Sequence, residues 1–259
     1  MPTKIIKRSP KWYGWLPDIP DHRDFLYAAV APRLAQLPRK VDLRSKCSPV
    51  EDQGPLGSCT ANALIGAVEF LEKKDNVPFA DLSRLFVYYN ERVIEGTVDQ
   101  DSGAFIRDGV KSLAKQGVCP EKQWPYRIAS FKKKPTRNCY TAARKHRISS
   151  YRRINLVDEM RTCLADGFPF VFGFTVYESF ESRAVAKSGV LNMPGPGEAM
   201  IGGHAVMAVG YDDAAQRFTA RNSWGTDWGM KGYFTIPFEY LGSRNLADDF
   251  WTIRASEEG

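Results

Sequence analysis

The hydrophobic period of this 259-residue chain changes once, and that change limits the folds open to it. In the first half, Ala61, Leu64, Ile65, Val68 and Leu71 recur at helical spacing, while Glu69, Glu72, Lys73 and Lys74 take the opposite face. Stretches 83–93 and 105–115 read as two more helices, the second stopped by Gly117. Beyond Phe168 the pattern becomes that of strands, at 170–176, 205–211, 217–221, 233–236 and 250–254, with Asp212-Asp213 as a turn. Helices first and strands later predict an α+β fold whose second half is antiparallel and barrel-like. With 43% hydrophobic residues the chain can bury one large core or two modest ones around a cleft.

Chemistry gathers where the first helix begins. The turn-rich run Gln53-Gly54-Pro55-Leu56-Gly57-Ser58-Cys59 delivers a thiol to a helix N-terminus. There the unpaired N–H groups and the positive end of the dipole favour thiolate, the reactive species. Of three histidines, His22 lies in a charged, Pro-rich stretch and His146 in a basic run, where a solvated face is the simpler reading. His204 follows Gly202-Gly203 and opens an apolar strand, so small neighbours leave it accessible. A satisfied core histidine is the alternative. Downstream, Asn222-Ser223-Trp224-Gly225 offers an amide to hold the imidazole and an indole to shield that contact. Cys59 belongs to the helical half and His204 to the strand half, so they can meet only where the halves face each other.

Cys59, His204 and Asn222, at these intervals and with Gln53 ahead of the cysteine, resemble the papain-like cysteine peptidases of the C1 family, in particular their bacterial short-leader branch. The resemblance starts near Pro38, where Val41-Asp42-Leu43-Arg44 looks like a mature N-terminus. It runs through Asn222-Ser223-Trp224-Gly225-Thr226-Asp227-Trp228-Gly229 to Gly232-Tyr233. It implies a two-domain fold, a helical left domain (about 50–147) facing a β-barrel-like right domain (about 148–259 plus 38–49). It also implies Cys59 as nucleophile, His204 as base and acid, Asn222 as orienter, and Gln53 with the Cys59 N–H as oxyanion donors. Ser102, Gly103, Gly203 and Trp224 would contact substrate, although Ser102 replaces the first of the family's paired glycines. Two further departures flank the nucleophile: Leu56 stands where the family has a disulfide cysteine, and Thr60 where it has tryptophan.

Residues 1–37 are expected to form a leader. Trp12, Tyr13, Trp15 and Leu16, set among prolines, suit an extended segment laid over a surface, as a structural strap or as a prosegment across the cleft. No apolar signal-peptide region follows the basic N-terminus, and no stretch has the roughly 18 apolar residues of a membrane span. The compartment therefore stays open. Cys47, Cys119, Cys139 and Cys163 could pair in three ways or not at all, with Cys163 expected as a buried thiol on a short helix at 158–165. No cysteine or histidine spacing suggests zinc, and no cofactor is called for. Stretch 122–157 carries no acidic residue, and the formal net charge is +6. A solvated connecting loop is the favoured reading there, with an anionic ligand at 127–153 as the alternative. The expected activity is peptide hydrolysis by a monomer acting on peptides or proteins. A cysteine-dependent acyl transferase and a catalytically idle peptide-binding module are the competitors.

Overall fold

A computed structural model describes residues 13–32 and 36–255. The elements in chain order are β1 (Trp15–Leu16), β2 (Lys40–Asp42), α1 (Cys59–Lys74), α2 (Arg84–Glu95), β3 (Ala104–Phe105), α3 (Ile106–Lys115), α4 (Arg137–Ala143) and β4 (Ile148–Ile154). Then follow α5 (Val157–Ala165), β5 (Phe170–Tyr177), α6 (Arg183–Ser188), β6 (Met200–Asp212), β7 (Arg217–Arg221), β8 (Tyr233–Pro237), α7 (Phe238–Gly242) and β9 (Ala247–Ala255). The α+β class holds, and the expected helices and strands lie within a few residues of their predicted ends.

One antiparallel sheet organises the molecule, in the order β4-β9-β5-β6-β7-β8, with β2 also paired to β6. It is open: among the described residues β4 and β8 are its two edges and do not pair, so the barrel-like expectation is corrected. Closure is unnecessary because both faces are covered. Side chains alternate along the strands. Val171 of β5 and Ala205, Met207 and Val209 of β6 join the helical core of α1, α2 and α3. Phe170, Phe172, Phe174, Val206 and Ala208 join a second core under α5, α6 and α7. The two halves thus share one sheet, each taking a face.

Three local expectations fail for tertiary reasons. Helix α1 is buried from Cys59 through Glu72, not amphipathic, because it is wedged between the sheet and the other helices. Its acidic residues are absorbed: Glu69 accepts the Leu82 N–H at 3.0 Å, and Glu72 meets His146 Nδ1 at 2.6 Å. His146 is therefore a half-buried partner of Glu72, not part of a solvated face. The basic stretch is likewise no simple loop, since it contains α4 and the edge strand β4. Arg153 of β4 donates to Asp248 and Asp249 at 2.8 Å each. The missing negative charges come from elsewhere in the chain, which no local window can display.

Candidate active site

Cys59 is the first residue of α1, preceded by Ser58. Ser58 leaves its capping role to build the turn: its Oγ meets the Tyr126 hydroxyl at 2.5 Å, and that hydroxyl also donates to Gln53 O at 2.9 Å. α1 lies across β6, and the Ala205 N–H donates to Cys59 Sγ at 3.4 Å. His204 precedes Ala205 directly, so helix-on-strand packing sets the thiol against the strand that carries the imidazole. His204 is the fifth residue of β6 and not its opening residue, in register with Phe174 of β5.

The imidazole is held from two sides. Trp224 stacks on it, with ring centroids 4.9 Å apart and 28° between planes. Nε2 lies 2.8 Å from Asn222 Oδ1, and the Ser223 N–H points to the same oxygen at 2.8 Å. A backbone N–H can only donate, which identifies that atom as oxygen and makes Nε2 the protonated nitrogen. Gln53 is fixed as firmly: its Nε2 donates to Leu56 O at 2.8 Å and its Oε1 accepts from Ser223 Oγ at 2.6 Å. Sequence reasoning gave Ser223 and Tyr126 no role. Ser223 stood inside a quoted motif, but its bond to Gln53 spans 170 residues and left no local signal.

The N-terminal segment runs over this site. β1 pairs in parallel with β3, and the Ala104 N–H donates to Gly14 O at 2.7 Å. Gly14 threads between Gly57 and Gly103, and a Cβ there would fall 1.8 Å from Gly57 O. Ser102 lies just outside this contact, its Oγ donating to Thr97 Oγ1 at 2.9 Å. The Trp15 indole covers Gly173, where a Cβ would come within 1.9 Å of the ring, and the Trp15 carbonyl lies close to Gly203. Its Nε1 donates to Asp249 Oδ2 at 3.0 Å. Leu16 continues the pairing opposite Phe105. Tyr13 sets its ring edge-on to His204 and Trp224, and its hydroxyl donates to Glu181. Trp12 lies outside the described residues.

Further along, Asp18 anchors the segment. Its N–H donates to Asp249 at 2.7 Å, and its carboxylate accepts from Trp251 Nε1 at 3.0 Å and the Arg107 N–H at 3.2 Å. The Arg107 guanidinium donates to both oxygens of Asp24, at 3.0 and 2.7 Å, and to Ile19 O at 2.6 Å. Under this cover Cys59, His204 and Gln53 are each 0% exposed.

Burial works against the thiolate that the helix N-terminus favours. It pushes the Cys59 thiol up to about 12, although the Ala205 and Gly14 N–H groups pull the other way. A helix dipole contributes on the order of 1 kcal/mol, too little to offset loss of water around a charge. The neighbouring departures also find places. Thr60 Oγ1 donates to the fully buried Glu91 at 2.9 Å, tying α1 to α2, and Leu56 is packed in the core. All five cysteines are unbridged and buried, Cys163 with its thiol 3.3 Å from Thr252 Oγ1. Among the described residues no group of three or more His, Cys, Asp or Glu is placed to hold a metal. No helix there is long and apolar enough to cross a membrane.

Residues 37–249 match the family described as papain family cysteine protease. The chain belongs to the papain family of cysteine proteases. An uncharacterized peptidase C1-like protein of Acanthamoeba polyphaga mimivirus is 41% identical over 98% of this chain and 89% of its own. Chymomexicain of Jacaratia mexicana is 30% identical over 77% of this chain and 88% of its own. Among solved structures, xylellain, a cysteine protease from Xylella fastidiosa, superposes with a TM-score of 0.88 at 45% identity. That match covers 98% of this chain and 100% of xylellain. The papain-family assignment makes this protein a peptidase, with peptides as the expected substrates.

Proposed function

We propose that the protein is a cysteine endopeptidase in which Cys59 attacks the peptide carbonyl, His204 moves the proton and Asn222 orients His204. The observation that carries this is the fixed tautomer: Nε2–H is committed to Asn222, leaving Nδ1 as the nitrogen that exchanges a proton with the thiol. His204 takes the proton from Cys59 and later delivers it to the leaving amine, and water hydrolyses the acyl-enzyme. Gln53 and the Cys59 N–H stabilise the tetrahedral oxyanion. The Ser223 hydroxyl aims Gln53 by holding its amide oxygen. Gly103, Gly203 and Trp224 line the path of the substrate backbone, and Ser102 shapes the loop that presents Gly103.

Residues 1–37 act in this reading as an inhibitory leader, with 38–259 as the peptidase domain. Support comes from Tyr13, Trp15 and Leu16 lying over the cleft and from complete burial of the nucleophile. The family match begins at residue 37, whereas both the mimiviral protein and xylellain align with 98% of the chain. The leader is thus a feature of a subgroup. Closure works twice: it excludes substrate, and by excluding water it keeps the thiol neutral. Titration with a peptidyl epoxide, with Cys59→Ala as control, tests the proposal. Stoichiometric labelling of the wild type that parallels loss of peptide hydrolysis, and none in the variant, is the expected result. Hydrolysis that persists in Cys59→Ala overturns it.

A further inference from the structure

The peptide group between Leu56 and Gly57 is held at both ends. Its carbonyl accepts from Gln53 Nε2 at 2.8 Å, and its N–H donates to Asp101 Oδ1 at 3.0 Å. A peptide unit is planar, so whatever fixes one of these atoms fixes the tilt of the other. Asp101 thus acts at one remove on the amide that Gln53 turns toward the oxyanion. The same carboxylate oxygen accepts from the Tyr88 hydroxyl at 2.6 Å, and that hydroxyl accepts from the Gly103 N–H at 3.2 Å. One oxygen therefore ties the turn before Cys59 to Gly103, just ahead of β3.

Gly57 and Gly103 flank Gly14. A Cβ on Gly57 would lie 3.6 Å from Gly103 N, and one on Gly103 would fall 2.2 Å from Gly14 O. The spacing of the two glycines therefore sets the channel along which a substrate backbone passes. Asp101 itself stands on a fixed turn. The buried Arg92 donates to Tyr88 O at 3.1 Å, Val98 O at 2.8 Å and Gln100 O at 3.0 Å, and its guanidinium lies over the Tyr88 ring, 4.1 Å from the centroid. Leu56 stands where the family has a disulfide cysteine, and all five cysteines are unbridged, so this clasp is made of hydrogen bonds.

We propose that Asp101 is a positioning residue for peptide hydrolysis: it sets the tilt of Gln53 and the spacing of Gly57 from Gly103, and so aligns the scissile carbonyl with its oxyanion donors. This rests on the peptidase reading above. The experiment uses the full chain and compares two rates, kcat/KM on a fluorogenic peptide and alkylation of Cys59 by iodoacetamide, followed at the Cys59 peptide by mass spectrometry. Alkylation needs an accessible thiolate but no oxyanion donor, so a change in leader closure moves both rates equally and cancels in their ratio. Misplaced donors slow hydrolysis alone. Asp101→Ala should lower the ratio of hydrolysis to alkylation by about tenfold, chiefly through kcat. Asp101→Asn keeps an oxygen acceptor and should restore most of that loss. Tyr88→Phe, which takes the acceptor from the Gly103 N–H, should lower the ratio by about threefold. An unchanged ratio in a folded Asp101→Ala overturns the inference, as does an Asn variant no better than the Ala variant. If Asp101→Ala does not fold, Tyr88→Phe decides, and an unchanged ratio there overturns it. A wild-type chain whose Cys59 is alkylated but which cleaves no peptide overturns the peptidase reading itself, a result distinct from hydrolysis that Asp101 does not govern.

Discussion

Trp15→Ala tests whether the leader governs access to the nucleophile. A tryptophan side chain buries about 150–250 Å², and here it is 7% exposed. At about 25 cal/mol per Å² this gives about 4–6 kcal/mol, an upper bound close to the 3–5 kcal/mol seen on truncating core aromatics. The lost indole bond to Asp249 adds to the effect. Because the indole lies between the leader and Gly173, the loss falls on docking of the leader. Taking about 3 kcal/mol, the closed-to-open ratio drops by about 150-fold. Apparent kcat/KM should then climb by at least about tenfold until the open form predominates. Cys59 becomes reachable at the same time and its thiol regains solvent, so the rate of epoxide labelling should rise with turnover. The assays are kcat/KM on a fluorogenic peptide, labelling rate and thermal melting, all on full-length protein. A folded Trp15→Ala protein with wild-type kcat/KM and labelling rate would reduce the leader to a structural strap.

Gly14→Ala should act in the same direction, because a methyl group there collides with the Gly57 carbonyl; unchanged labelling of Cys59 in that variant contradicts the threading. Gln53→Ala should lower kcat by about 10²–10³ with little change in KM, and Ser223→Ala by about fivefold through a misaimed Gln53. A raised KM at constant kcat would make Gln53 a binding residue instead. Asn222→Ala should cost less than His204→Ala, since a misaligned base is milder than none; equal losses in folded proteins contradict the orienting role. Closure should also tighten in acid. Burial, and then Asp249, push the Asp18 carboxyl from its ordinary 3.8 up to about 7, opposed by Trp251 and Arg107. If release returns Asp18 to its ordinary value, docking takes up a proton between about pH 4 and 7. It then weakens by up to about tenfold per pH unit as pH rises through that window and levels off above it. Full-length kcat/KM should rise more steeply over that range than in Asp18→Asn, and parallel pH profiles would refute the linkage.

By itself the sequence determined the family, the candidate site residues and the order of the elements. Cys59 at a helix start, His204 beside two glycines and Asn222 before Ser223-Trp224 are signals confined to a few neighbouring residues, and helical or strand periodicity is equally local. Helices α1, α2 and α3 and the strands β5 to β9 were legible for that reason. Tertiary structure decided whatever depends on a partner distant in the chain. Glu72 reads as a solvated helix face until His146 arrives, and Arg153 reads as part of a basic loop until Asp248 and Asp249 pair with it. The barrel-like expectation gave way because helices cover both faces of the sheet, a fact about packing that no strand records. The surroundings of Cys59 were decided in the same way. A helix N-terminus argues for thiolate, but the charge on Cys59 depends on whether water reaches it, and Gly14, Tyr13 and Trp15 exclude that water by folding across the cleft.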